Sequence, residues 1–463
     1  MPAFTVEDVV RGTQGALVGG DLGVPVSGVS IDSRTLGIGE AFFAIRGHHL
    51  DGHAYLRDAA ARGAACLIVH SLPDDLPPSV PTVLVDDTTR ALGRLASYHR
   101  ARFTLPVAAV TGSNGKTTSK EMMAAVLGAL GPVLKPESSF NNQWGLPLTL
   151  LRLTAEHRAV ALELGANTPG EIAALAAISR PTVGAVTMVA TAHTEFFGSL
   201  DGVAAEKSAL VRAIPPEGAV VLNADDPRVA AMAGVSRARV LLVGRQRPAD
   251  IRAVGPAEET TEGVRFTLEA GDERRTVTLR FAGRHNVINA LIAAGVGRAL
   301  GLPLEVIVRG LAAARPVKGR CVWRRAGSVR ILDDTYNANP VSVRAALETL
   351  LGAADCRRRI VVLGDMLELG DISETAHREA GRAVAASGAA EFVGLGRRML
   401  SAVEAARAAG LAESHHAATF EDAVALLLKR LAPGDALLVK GSRGMRMERV
   451  VDALVARFGG EDG

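Results

Sequence analysis

The sequence predicts an α/β protein of three domains, each a sheet layered with helices. Three observations carry that expectation. The chain has 463 residues, more than one hydrophobic core usually organises. Short apolar runs alternate with Ala-rich stretches of helical period, the order that βαβ units require. Aromatic residues make up 4% of the chain against 48% hydrophobic. The interior must therefore be packed from small aliphatic side chains, which sheets covered by helices do readily.

Taken in order, the strand candidates are 66–69, 81–85, 105–111, 159–164, 183–190, 219–223, 239–243, 329–333, 359–364 and 436–440. Segment 262–281 differs, because two β runs flank Gly271-Asp272 and predict a hairpin. Two boundaries follow. One lies near 86–104, where a helical stretch precedes the strand opening at Leu105. The other lies near 313–318, around Pro316. The expected division is 1–90, 91–314 and 315–463.

Composition excludes several function classes. The net charge is +3, from 52 basic and 49 acidic residues. The one basic run is Arg357-Arg358-Arg359, so a nucleic-acid partner, which needs a concentrated positive patch, is not expected. Cys66, Cys321 and Cys356 lie far apart with no metal or redox spacing, which fits a reducing, cytoplasmic setting. The opening MPAFTVEDVV lacks the charged head and long apolar run of a signal peptide. The apolar stretch 183–192 is too short for a bilayer, and those around 287–314 are broken by Arg298 and Arg309. Membrane insertion is not expected.

The strongest local signal is the run Leu105–Thr111 followed by Gly112-Ser113-Asn114-Gly115-Lys116-Thr117-Thr118. A β run enters a Gly-rich turn and leaves as a helix, expected over Lys120 to Leu130. That order turns backbone N–H groups and a helix N-terminus toward a phosphate chain. Lys116 would neutralise the β- and γ-phosphates, and the Thr117 hydroxyl would ligate Mg²⁺. The generic pattern places glycine at 110, where this chain has Val110, so the loop is a variant of the form T-G-x-x-G-K-[TS].

Further along, Arg158–Glu163 is apolar until it ends in a carboxylate. Carboxyl ends of parallel strands face the ligand crevice, so Glu163 is placed to reach a cation at the phosphates. His193 follows another β run and is expected at the same sheet end. Lys207 alone reads as an ordinary solvated lysine.

Together these pieces resemble the Mur ligase family over almost the whole chain. The matching segments are Val29–Arg34, Asp51-Gly-His53, Thr111–Thr118, Asn141-Asn142-Gln-Trp-Gly145-Leu-Pro147, Glu163–Asn167, Ala192-His193, Leu222–Asp226, Gly283–Ala290, Asp333–Pro340, Gly364–Gly370 and Lys440–Met445. Each is short, but their order and spacing are specific.

The resemblance implies an N-terminal UDP-sugar-binding domain, a central P-loop ATPase-like domain and a C-terminal Rossmann-like domain that receives an amine. The implied activity is ATP-dependent addition of D-alanyl-D-alanine to a UDP-N-acetylmuramoyl-tripeptide through an acyl phosphate, by a monomer using two Mg²⁺ ions.

It also implies roles for individual residues. Glu163 and His193 go to magnesium, and Lys207 to a carbamate formed with CO₂. His285, Asn286 and Asn289 fall on the adenine side, and Arg320 and Asp334 near the phosphates and ribose. Ser33, Arg34, His53, Asn141 and Asn142 fall on the UDP-substrate side. Tyr336, Asn337, Asn339 and Arg443 fall on the dipeptide side. One departure stands out. The family usually carries an acidic residue two positions after its carbamylated lysine, whereas Ala209 stands there and Glu206 precedes Lys207.

Two other classes fit the sequence less well. A diamino-acid-adding Mur ligase or folylpolyglutamate synthase is disfavoured by Asp334–Pro340, which departs from the segment expected there. A nucleotide-gated switch is disfavoured by the absence of an Asn-Lys-x-Asp guanine motif.

Overall fold

A computed structural model describes residues 4–47, 50–72, 80–137, 140–190, 197–260, 263–353 and 356–459. Three mostly parallel sheets follow one another along the chain. The first has five strands in the spatial order Ala16–Gly19, Thr82–Leu84, Cys66–Val69, Glu40–Phe43, Gly28–Ser30, and only its first pairing is antiparallel. A two-stranded ribbon, Phe4–Thr5 with Pro25–Val26, stands beside it.

The central sheet has nine strands. Val107–Thr111 lies between Ala159–Glu163 and Val183–Val186, parallel to both. Beyond these the sheet continues through Ala219–Asn223 and Arg239–Gly244 to Ile251–Thr260, Gly263–Ala270 and Glu273–Leu279. The last two form the expected hairpin, and Gly271 at φ 62° supplies the left-handed turn residue. The strands flanking the phosphate loop are buried along their whole length. This is the continuous apolar signature of a sheet covered on both faces. The run expected over 183–190 pairs only as far as Val186, because its later residues turn to hold the phosphate loop.

The C-terminal sheet has the order Val322–Ala326, Val329–Asp334, Ala436–Lys440, Arg359–Gly364, Glu391–Leu395, Ser414–Ala417, parallel except for its first pair. Its register sets Asp334 opposite Lys440.

The linker helix Thr88–Arg100 connects the first sheet to the second. Asp87 caps it by accepting from the Arg90 N–H at 2.7 Å, and Ala91, Leu92, Leu95 and Ala96 form its buried stripe. That stripe belongs to one continuous apolar core running from Phe4 in the first domain to Ala238 in the second. The C-terminal domain has two cores of its own, one on each face of its sheet. Among the described residues no helix is long and apolar enough to cross a membrane.

Candidate active site

The phosphate loop is shaped by two close approaches. Gly112 has φ 151°, and a Cβ there would fall 1.8 Å from the Thr187 hydroxyl. Gly115 has φ 82°, and a Cβ there would fall 2.3 Å from Asn289 Oδ1. Only glycine fits either position. The neighbouring strand end holds the turn. The Ser113 N–H donates to the Met188 carbonyl at 2.8 Å, and the Thr187 hydroxyl donates to the Asn114 carbonyl at 2.6 Å. Ser113 Oγ donates to the Ala190 carbonyl and accepts from the Ala190 N–H.

The helix leaving the loop is Lys116–Leu127, so it starts four residues earlier than the sequence indicated. No side chain caps its N-terminus. By contrast, Thr5, Asn339 and Thr419 each close a capping box on their helices. The first-turn N–H groups of the loop helix thus remain available to an anion.

Lys116 folds back over the loop and donates to the Gly112 carbonyl at 2.9 Å. Among the described residues it makes no ion pair. The crowding of protein around it, against the pull of Glu163, holds its ammonium below the ordinary lysine range. Lys207, on the helix Leu200–Ala213, is 6% exposed. Burial and then the nearby Lys116 charge push its pKa down to about 7. The preceding Glu206 accepts the Gly170 and Ile172 N–H groups at 2.7 Å each and so caps another helix. It is not hydrogen-bonded to Lys207.

Register brings Glu163 to the loop, because it pairs with Val110 on the adjacent strand. Its carboxylate is 2% exposed. It accepts from the Thr117 hydroxyl and from the Asn141 amide, each at 2.8 Å. Thr117 Oγ1 in turn accepts from Arg320 Nη2 of the third domain at 3.2 Å. Arg320 lies over the Tyr336 ring at 3.8 Å, with Arg443 at 5.7 Å from the same ring. A second interdomain contact is reciprocal. Asn339 Nδ2 donates to Asn114 Oδ1 at 2.8 Å, and Asn114 Nδ2 donates back at 3.3 Å.

The other expected site residues are distributed as follows. Thr118 is half-buried on the loop helix. Asn289 accepts from Ser119 Oγ at 3.2 Å and donates to Asn286 Oδ1 at 2.8 Å, while Asn286 donates to the Ala282 carbonyl. The two asparagines therefore brace the loop helix from below. His285 precedes them, and burial lowers its pKa despite the nearby Asp334 charge. Asp334 is occupied by Lys440 Nζ at 2.6 Å and the Cys321 N–H at 3.2 Å. The Asn337 carbonyl also accepts from Lys440, and its side chain accepts from the Ala338 N–H. Arg443 is exposed and paired with Glu448.

Asn142 Oδ1 accepts from the Trp144 and Gly145 N–H groups just before the helix Gly145–Leu150. In the first domain Ser33 is buried. Arg34 makes a bidentate surface pair with Asp32, whose pKa this pairing lowers to about 2. His53 Nε2 accepts from the His70 N–H at 3.1 Å, so Nδ1 carries the proton it donates to Asp51 at 2.7 Å. None of these three is bonded to the phosphate loop. His193 lies outside the described residues.

Sequence reasoning missed Thr187, Ser119 and Lys440 as parts of this arrangement. Lys440 opened a quoted motif, and the parallel register opposite Asp334 is the signal that singles it out.

The assembly can hold a polyphosphate against two ammonium groups that make no ion pair among the described residues, with a hydroxyl and a buried carboxylate beside it. Comparison with known proteins gives the family. Residues 25–100 match the model described as Mur ligase family, catalytic domain, residues 110–297 the Mur ligase middle domain, and residues 319–443 the Mur ligase, glutamate ligase domain. The chain is 39% identical over 468 residues to a Mycobacterium bovis UDP-N-acetylmuramoyl-tripeptide–D-alanyl-D-alanine ligase, with 92% of each covered. It superposes on the Acinetobacter baumannii MurF crystal structure with TM-score 0.91 at 33% identity, covering 98% of this chain and 99% of that one. On Thermotoga maritima MurF in complex with ADP the TM-score is 0.82 at 26% identity, covering 93% and 97%.

Proposed function

The chain belongs to the Mur ligase family, and from that premise we propose how its own residues carry the reaction. It is an ATP-dependent amide ligase that adds D-alanyl-D-alanine to UDP-N-acetylmuramoyl-tripeptide in peptidoglycan synthesis.

The proposed division is 1–90 for the UDP substrate, 91–314 for ATP and 315–463 for the dipeptide. The observation that carries the site assignment is the hydroxyl of Thr117, joined at once to Glu163 of its own domain and Arg320 of the next. Amide formation from a carboxylate in water is uphill, and activation as an acyl phosphate overcomes it. The tripeptide carboxylate and the triphosphate repel, so cations must line the meeting point. Lys116 neutralises the terminal phosphates, and Arg320 reaches the same point from the third domain. The dipeptide amine then displaces phosphate from the acyl group, and holding the two partners in line makes that step local.

Two groups go with this reading. Thr117, Glu163 and, outside the described residues, His193 would hold Mg²⁺. The donor set fits, since a hydroxyl and a buried carboxylate are oxygen ligands already in contact. The ion supplies charge neutralisation at the phosphates. Lys207 fits a carbamate because its pKa of about 7 leaves a neutral amine to react with CO₂ at physiological pH. A carbamate there would replace a cation that repels Mg²⁺ with an anionic oxygen donor. Asn141 orients Glu163, and Asn289 fixes the loop helix that presents Lys116. Tyr336, Asn337, Asn339 and Arg443 flank the side from which the dipeptide arrives. We further propose that the enzyme works as a monomer in the cytoplasm, where ATP and UDP-linked precursors are made.

The test is product mass spectrometry after mixing ATP, D-Ala-D-Ala and UDP-tripeptide ending in either diaminopimelate or lysine. A pentapeptide product, with phosphate release that depends on both tripeptide and dipeptide, is expected. Phosphate release independent of both substrates would identify a nucleotide switch instead.

A further inference from the structure

The central sheet has a second end. The phosphate loop leaves the carboxyl end of Val107–Thr111. At the opposite end, just before that strand and before Val183–Val186, lies a cavity of about 760 Å³. Its walls come from the end of the linker helix, from the helix Glu171–Ser179 and from the last turns of the Lys207 helix. The side chains along it, such as Ala173, Ala176 and Ala213, are small, which leaves the volume open. That size suits a small organic molecule.

The charge lining it is unbalanced. Arg100, Arg180 and Arg212 face one carboxylate, Glu217, which leaves two positive charges over. None of the three arginines makes an ion pair among the described residues. Arg100 is buried and bonds only to carbonyls, those of Ser179, Phe103 and Leu105. Burial, and after it the Arg180 charge, hold the Arg100 guanidinium below its ordinary range, so the two groups feel each other. Arg212 uses one nitrogen on Ser208 Oγ at 2.6 Å. The Arg180 side chain makes no hydrogen bond among the described residues. Its backbone sits at φ 47°, a left-handed position usually given to glycine or asparagine. A basic residue near a helix C-terminus also complements the helix dipole, but that explains one arginine and not the convergence of three.

We propose that this cavity binds a small organic phosphate at a site separate from the ATP and peptide sites. A phosphate dianion matches the two unbalanced charges. Arg180 and Arg212 offer the free guanidinium edges that grip it, and the alanine and proline walls take the apolar body. The proposal does not depend on the ligase assignment.

Calorimetric titration of the full-length protein with phenyl phosphate tests it, with the phosphate loop saturated by a non-hydrolysable ATP analogue and Mg²⁺. One equivalent should bind, and the Arg180→Gln/Arg212→Gln double variant should bind at least about tenfold more weakly. The variant's unfolding midpoint and ligase turnover should match the parent. If the double variant fails to fold, Arg180→Gln alone, at an exposed position, should weaken binding in the same direction. Absence of binding to the parent, or equal affinity in a folded variant, overturns the proposal. So does inorganic phosphate binding as tightly as phenyl phosphate, since the walls would then contribute nothing.

Discussion

The central and C-terminal sheets are both mostly parallel, both have a lysine at the carboxyl side of their strands, and treat that lysine in opposite ways. At the central edge Lys116 donates, among the described residues, only to loop carbonyls, and the buried Lys207 lies close enough for their charges to repel. At the C-terminal edge Lys440 is closed by Asp334 at 2.6 Å and by the Asn337 carbonyl at 2.7 Å. Among the described residues the fold forms no ion pair with the lysine in one place and closes one in the other. A lysine held without a direct ion pair keeps its donors for an anion, whereas one already closed on a carboxylate does not.

The comparison can be broken or sharpened by substitution. The largest effect is expected at Lys116. Lys116→Ala should lower tripeptide-dependent ADP formation by on the order of 10³-fold. UDP-tripeptide affinity, measured by calorimetry, should stay within about twofold. Equal loss of both would show that Lys116 does not serve the phosphates.

At the C-terminal edge the outcome should appear in stability. Lys440→Met strands a buried carboxylate and should cost about 3–5 kcal/mol in urea unfolding, whereas Lys440→Met with Asp334→Asn should recover most of that loss. A single variant as stable as the parent would mean the pair is not closed.

Lys207 is next. Between about pH 7 and lysine's ordinary 10.5 the unfolded chain holds a proton that the folded chain has released. Folded stability in CO₂-free buffer should therefore climb with pH through that window, by a few kcal/mol in all. Lys207→Met should remove this climb and gain most over the parent below pH 7. A parent curve parallel to the variant's would disprove the depressed pKa.

The smallest effect is expected at the interdomain amide pair. Asn339→Ala removes a helix cap and the Asn114 contact, and should cost about 1–2 kcal/mol. It should also loosen the association of the third domain, visible as a larger radius in small-angle scattering with an ATP analogue bound.

Much of this contrast was legible in the sequence, but unevenly. The phosphate loop could be read because strand, glycines, lysine and hydroxyl lie within a dozen residues and each has a mechanical reason. Strands such as Val107–Thr111 and Ala436–Lys440 were legible because full burial makes them continuous apolar runs. Others were not expected, among them Phe4–Thr5 and Pro25–Val26, since two residues show no period, and also Ala16–Gly19 and Glu391–Leu395. The role of Asn289 under Gly115, and the pairing of Asn114 with Asn339 across 225 positions, depend on contacts that no local pattern encodes. Asn142 was expected beside the substrate, and its side-chain oxygen is engaged by the Trp144 and Gly145 N–H groups, a use of asparagine ahead of an apolar run that no spacing singled out. Ala209 stands where an acidic residue was expected near Lys207, and the neighbouring Glu206 serves helix capping.

The linker helix Thr88–Arg100 has a thermodynamic consequence. Because its apolar stripe belongs to a core that runs without interruption from the first sheet into the second, heating should melt those two domains in a single cooperative transition. The C-terminal domain, with cores of its own, is free to melt at a different temperature. A swing of the third domain away from the other two would carry Arg320 off Thr117.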